Sequence, residues 1–331
     1  MKKLMNDAVN YVDEVLDGLQ QAHPDIYAID GETGRMLRKV TPSEGRVGVI
    51  SGGGFGHLPV FAGYVGEGLL DACAVGDVFA SPDMNPMLEA ITWADTGQGV
   101  VCVVGNYGGD KMNFAMACEM AEMEDITAHR VIVSDDVASA GVDEAEKRRG
   151  VAGLVYVMKI AGAAAVAGRD LDGVLAATQK AANNCRSIGV ALGSCIVPQA
   201  GKPTFEIADD EIEIGMGIHG EPGVWRGKMK PADELVQEML DHLTPELDLG
   251  KGSRVAILVN GLGATPNEEL YILFRAAKRI LEGMGVTLVQ PLVGNYATSM
   301  EMSGASITLM EMDDDLETLL AAPAHNPFWR N

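Results

Sequence analysis

The 331-residue chain is short of positive charge, of aromatic residues and of paired cysteines. Lys and Arg number 25 against 47 Asp and Glu, a formal net charge of −22. A surface this acidic repels phosphate backbones and anionic headgroups, which excludes nucleic acid and membrane as partners. The five cysteines, Cys73, Cys102, Cys118, Cys185 and Cys195, form no C-x-x-C pair. Most lie in apolar runs and read as small core residues of a reducing compartment, not as zinc ligands or disulfides. The six histidines contain neither H-x-x-x-H nor H-E-x-x-H, so no metal site is expected. No G-x-x-x-x-G-K-[ST] cradle and no protein-kinase signature set occurs. The longest run of apolar and small residues, Ile160 to Gly168, is too short to cross a bilayer. No apolar stretch follows the basic pair Lys2-Lys3, so no signal peptide is read and a cytoplasmic protein is expected.

What is present is apolar and periodic. Hydrophobic residues make up 47% of the chain, enough for two cores, and helical and strand-like patterns alternate. Val9, Val12, Leu16 and Leu19 have helical spacing. Strands are expected over Arg46–Ser51, Cys73–Phe79, Gly99–Val104 and Ala128–Val133, with helices at Pro86–Ala94 and Asp110–Glu122. Asp110 is expected to be the N-cap of the second of these helices. An alanine-rich helix from Arg148 and another over Leu171–Asn184 follow. A new alternation then begins, with strands at Ser187–Val197, Glu211–Ile218, Arg254–Val259, Val286–Leu292 and Ala305–Met312. Helices at Ala232–His242, Pro266–Met284 and Leu316–Leu320 separate or follow them. The expected fold is two α/β domains. Residues 1–185 form the first, with a largely parallel sheet flanked by helices. Residues 186–331 form a smaller mixed-sheet α/β domain.

Successive strands of the first half end in segments rich in glycine, serine and aspartate: Gly52-Gly53-Gly54-Phe55-Gly56-His57, Ala80-Ser81-Pro82, Gly105-Asn106-Tyr107-Gly108-Gly109-Asp110 and Ser134-Asp135-Asp136. Parallel α/β sheets bind ligands outside the carboxyl ends of their strands. The triple glycine reads as a loop that lets backbone approach a ligand. Gly215-Met216-Gly217-Ile218-His219-Gly220 matches G-x-G-x-x-G, but Pro222-Gly223 follows and no helix opens, so a dinucleotide site is rejected. What remains is a histidine held in a loop by small neighbours. Gly261-Leu262-Gly263-Ala264-Thr265-Pro266 reads as a tight turn with Thr265 capping the helix that Pro266 opens.

Taken together, several of these motifs resemble the substrate subunit of the dihydroxyacetone kinase family. They are Ser51-Gly52-Gly53-Gly54-x-Gly56-His57-x-Pro59, Phe79-x-Ser81-Pro82, Asn106-Tyr107-x-Gly109-Asp110 and Arg149-Gly150-Val151-Ala152. Gly217-Ile218-His219-Gly220-Glu221-Pro222-Gly223 and Asn260-x-Leu262-Gly263-Ala264-Thr265-Pro266 complete the set. The resemblance implies that His219 forms a hemiaminal with a ketone substrate and that His57 is the proton acceptor beside it. It implies that Asp110 binds and helps deprotonate the reacting hydroxyl, and that Gly54, Phe55, Gly56 and Ser81 line the pocket. It implies no cofactor in this chain. ATP or ADP with magnesium belongs on a partner, the nucleotide-binding kinase subunit, and a phosphotransferase-system subunit is a further possible donor. It also implies a homodimer.

The chemistry is sensible from below. One methylene is worth only about 1–3 kcal/mol in a pocket, whereas addition to a carbonyl separates a ketone from an alcohol outright. An imidazole must be unprotonated to add, so binding is expected to weaken at low pH. Three positions depart from the family pattern: Phe55 in place of serine, Leu58 in place of glutamate, and Gly105 where some members have lysine. A more apolar and roomier rim makes a larger ketose such as erythrulose an alternative substrate. A ketose-sensing regulator without kinase activity is the other alternative.

Overall fold

The computed structural model describes residues 2–330; Met1 and Asn331, the outer limits of the two expected domains, lie outside the described residues. Helix α1 (Tyr11–Ala22) buries Val12 and Leu16, while Val9 lies before it and is exposed. A hairpin of β1 (Tyr27–Asp30) and β2 (Met36–Lys39) follows. Then come β3 (Gly48–Phe55), β4 (Ala72–Val78), α2 (Met84–Ala94), β5 (Val100–Gly105), α3 (Gly108–Glu122) and β6 (Ala128–Val133). The six strands form one sheet in the order β1-β2-β4-β3-β5-β6. Strands β4, β3, β5 and β6 are mutually parallel and the hairpin is added antiparallel at the edge. The apolar runs of β3, β4 and β5 are buried on both faces, as a covered parallel sheet requires, while the edge strand β6 exposes His129 and Arg130.

The chain continues with α4 (Gly153–Val166), α5 (Leu171–Asn184), β7 (Cys185–Gly193), β8 (Glu211–Ile214) and β9 (Trp225–Lys228). Next are α6 (Ala232–Leu243), β10 (Arg254–Gly261), α7 (Asn267–Gly283), β11 (Thr287–Gly294), β12 (Ser303–Met312) and α8 (Asp314–Ala321). Their strands form a second sheet, β11-β10-β12-β7-β8-β9, in which only β10 and β11 are parallel. Each sheet has six strands, so the second sheet is not the smaller of the two.

Helix α4 explains how the halves become one body. It is apolar on every face except for Lys159, whose ammonium donates to the Leu319 carbonyl at 3.0 Å, and every residue from Gly153 to Ala165 is buried. Val101 and Val131 of the first sheet and Leu258 and Met310 of the second share a single core with it. The carboxylate of Asp135, just after β6, accepts from the N–H groups of Val151 and Gly153 at 2.8 and 2.7 Å, satisfying donors at the start of α4. Helices α2 and α3 cover the outer face of the first sheet, and α6 and α7 that of the second.

Three expectations are corrected. The triple glycine is not a loop: Gly52, Gly53 and Gly54 lie inside β3, which runs on to Phe55. A side chain at Gly53 would strike the Phe61 ring at 2.5 Å, so close packing accounts for that glycine. Asp110 is not the N-cap of α3, which begins two residues earlier; it sits in the first turn instead. Thr265 does not cap α7, because its hydroxyl donates to the Gly304 carbonyl at 2.6 Å and accepts from the Gly304 N–H at 2.9 Å.

Candidate functional site

Because β3, β4, β5 and β6 are parallel, their carboxyl ends share one edge of the sheet. The connection after β3 carries His57, that after β4 Phe79 and Ser81, and that after β5 Tyr107, with Asp110 in the first turn of α3. At Gly56 the backbone has φ +103°, and a Cβ there would come within 2.8 Å of the Phe79 ring. That turn directs His57 back onto Phe79, whose ring stacks on the imidazole at 4.9 Å. Phe79 has φ +59°, a strained value for a bulky residue of the kind often found at functional sites.

The second sheet supplies the other wall. The loop after β8 brings His219 to the same edge, and His57 Nε2 and His219 Nε2 are 3.0 Å apart. The rings of Phe79 and Tyr107 pack edge-on to His219 at 5.1 and 4.8 Å. The segment between β11 and β12 holds both histidine loops. The Thr298 carbonyl takes a bond from His57 Nδ1 at 2.8 Å, and the buried Ser299 hydroxyl donates to the Ile218 carbonyl. The Met300 N–H donates to the Gly56 carbonyl at 2.7 Å.

Glu221 completes the turn. Its carboxylate accepts from the His219 N–H at 2.9 Å and pairs with His219 Nδ1 at 3.0 Å. Arg149 stands behind it, with a guanidinium nitrogen 3.9 Å away, and is itself tied to Asp136 and the Gly215 carbonyl, each at 2.8 Å. A Cβ at Gly217 would lie 2.2 Å from Glu221 Oε2, so the turn closes around this carboxylate only with glycine there.

The electrostatics follow from burial. His57 is enclosed, and desolvation with the charge of His219 lowers its pKa to about 3, so its ring stays neutral. Burial alone would raise Glu221, but the hydrogen bond and charge of His219 bring it down to about 2. Asp110 is 6% exposed, and burial lifts its carboxyl to about 6 against the opposing influence of Ser81 and His219. Among the described residues its Oδ1 has no hydrogen-bond partner, nor has the hydroxyl of Tyr107. A buried carboxylate oxygen without a partner is costly, which is reasonable where a ligand supplies one.

The structure thus brings His219, His57, Asp110, Ser81, Gly54 and Gly56 to one edge. Phe55 differs: it is buried at the end of β3 with its ring edge-on to Tyr11 at 6.4 Å. A Cβ at Gly105 would meet ordinary contacts, 3.4 Å from Tyr107 and 3.6 Å from Leu154, so the site there tolerates one more carbon but is not open space. Arg149 and Glu221 stood in the motifs that carry the resemblance but were given no role, and Thr298 was not singled out from sequence. Glu221 had a signal, an acid two residues past a histidine in a glycine turn. Thr298 acts through its backbone carbonyl and had none. Among the described residues no group of three or more His, Cys, Asp or Glu is placed to hold a metal ion. No helix among them is long and apolar enough to cross a membrane.

Comparison with known proteins converges on one family. A family model described as the Dak1 domain matches residues 17–328. The chain is 44% identical to the dihydroxyacetone-binding subunit DhaK of the PTS-dependent dihydroxyacetone kinase 2 of Listeria innocua, over 100% of this chain and 99% of that one. It is 39% identical to the D-erythrulose kinase of Mycolicibacterium smegmatis, over 100% of this chain and 57% of that protein. The dihydroxyacetone kinase of C. freundii superposes with a TM-score of 0.91 at 32% identity, and this chain spans 99% of itself and 60% of that kinase. The dihydroxyacetone kinase operon co-activator Dha-DhaQ superposes at 0.88 with 33% identity, covering 94% of this chain and 96% of that one.

Proposed function

This chain belongs to the Dak1 domain family, and from that premise we propose that it is the substrate-binding subunit of a ketose kinase, holding a short ketose covalently through His219. The observation that carries the reading is the pair of ring nitrogens 3.0 Å apart, beside the unpartnered carboxylate oxygen of Asp110. Nε2 of His219 adds to the ketone carbon, and His57 manages the proton. An alcohol such as glycerol offers no carbon to attack, so selectivity comes from reactivity and not from shape. Asp110 accepts a proton from the substrate hydroxyl, and phosphoryl transfer then depends mainly on positioning.

In this reading a nucleotide-binding kinase subunit brings ATP or ADP with magnesium, or relays phosphate from a phosphotransferase system. The substrate subunit itself is a homodimer. Dihydroxyacetone is the first substrate to test, and the likeness to a D-erythrulose kinase supports erythrulose as the second. The test mixes the purified chain with a nucleotide-binding subunit, ATP, magnesium and a panel of short ketoses. Phosphorylated ketose should appear only with both proteins present. No product from any ketose overturns the catalytic role.

A ketose-sensing role is the second reading, supported by the nearly full-length likeness to the operon co-activator. Tight, carbonyl-selective binding with no phosphorylation in the same assay would favour it.

A further inference from the structure

Hydrogen-bond chemistry at the histidine pair fixes more than the positions of the rings. A carbonyl oxygen can only accept, so His57 Nδ1 carries the proton it gives to Thr298. An ionised carboxylate can only accept, so His219 Nδ1 carries the proton it gives to Glu221. Two neutral rings with protons on both Nδ1 atoms would then face each other through bare lone pairs. At 3.0 Å the two Nε2 atoms must share one proton. The free pair therefore holds one proton between its two Nε2 atoms and carries a single positive charge.

We propose that Glu221 is a positioning residue for carbonyl addition, fixing the His219 ring by its bond to Nδ1 and balancing the one proton shared between the two Nε2 atoms. The inference rests on the covalent reading above. The step balances. The shared proton passes from His219 Nε2 to His57 Nε2, and the freed lone pair forms the bond to the ketone carbon. As the C=O π bond breaks, His57 returns that proton to the oxygen. Three ring N–H bonds become two ring N–H bonds and one O–H bond, and the charge of +1 is unchanged. Glu221 faces that charge before and after.

Addition is then proton-neutral wherever the free pair holds one proton, and ketone affinity has a plateau in pH. Above the plateau the pair must first take up a proton from solvent, and affinity falls. The other charged groups near His219 are Asp110 from α3 and, behind Glu221, Arg149 with Asp136. Glu221 is the carboxylate bonded to the ring itself.

The experiment measures dihydroxyacetone binding against pH for the full chain and for Glu221→Gln and Glu221→Asp. It is joined by ¹⁵N NMR of the histidines in the ligand-free protein. Gln keeps one oxygen for Nδ1, removes the charge and turns its NH2 toward the His219 N–H that the second carboxylate oxygen accepted from. Loss of an opposite charge at this range should move the upper edge of the plateau down by about 1–3 pH units, read as a shift of the edge and not of the affinity on the plateau. Asp should restore much of the edge. Free wild-type protein should show His219 Nδ1 protonated across the plateau. An unmoved edge in Glu221→Gln, or a His219 Nδ1 without its proton in the wild type, overturns the assignment. Equal binding of ketone and polyol by the wild type would instead sink the covalent reading, and the ¹⁵N result would still decide the role of Glu221.

Discussion

His57 and His219 are 162 residues apart in the chain, and their Nε2 atoms meet at 3.0 Å. Each arrives from a different sheet, and the contact exists because the segment Thr298–Met300 ties both loops together. His219→Ala should therefore cut ketose affinity by about 100-fold or more, roughly 3 kcal/mol. Binding of the corresponding polyol should hardly change. Calorimetry with both ligands checks this, and parallel losses for ketone and polyol would remove His219 from the chemistry.

His57→Asn keeps a polar group beside Phe79 and removes the proton carrier. Positioned acid–base groups contribute about 10²–10⁴-fold. Stopped-flow mixing with dihydroxyacetone should show covalent addition slowed within that range, and an unchanged rate would mean that solvent moves the proton.

Asp110 should separate binding from transfer. Asp110→Asn should hold ketose within about threefold while phosphorylation falls by about 10²–10⁴-fold. In the wild type the transfer rate should decline as pH drops through about 6, where burial places this carboxyl. Full activity in Asp110→Asn would end its role as base.

The same residue predicts a stability effect. Its folded pKa, about 6, lies above the ordinary 3.8. The folded state thus binds more protons than the unfolded state between those values. The contribution is favourable below about 3.8 and is lost as pH rises through 6. Asp110→Asn, neutral throughout, should match wild type near pH 4 and be more stable above pH 6 by up to about 3 kcal/mol. Thermal unfolding at both pH values reads the difference. A variant less stable at pH 7 would contradict the cost assigned to this buried carboxylate.

Helix α4 offers a test away from the site. A Cβ at Gly162 would lie 2.4 Å from the Leu69 carbonyl oxygen, a backbone atom that cannot swing aside. Gly162→Ala should cost about 1–3 kcal/mol by overpacking. Denaturant unfolding measures it, and a neutral result would mean that the helix shifts freely between the sheets.

Much of this was legible in the residues, for identifiable reasons. Ala128–Val133 and Leu171–Asn184 were read with the bounds they have, because a β-branched run and an amphipathic helix have distinct periods. The hairpin of Tyr27–Asp30 and Met36–Lys39 was missed. Its strands are four residues long and do not alternate cleanly, although Gly31 and Gly34 mark the turn between them. Trp225–Lys228 was missed for a related reason: it is a mostly exposed edge strand interrupted by Gly227. His57, His219 and Asp110 stood out by motif. Glu221 lay in the same motif without a role assigned to it, and Thr298 did not stand out, since a backbone carbonyl carries no side-chain signature. Pairing across two sheets is likewise fixed only by the fold.

The most direct measurement follows dihydroxyacetone labelled with ¹³C at its carbonyl as it binds the full chain. The bound carbon should leave the carbonyl region of the ¹³C spectrum for that of a tetrahedral carbon bearing oxygen and nitrogen. That change should vanish in His219→Ala. A bound carbon that stays in the carbonyl region would contradict covalent capture by His219.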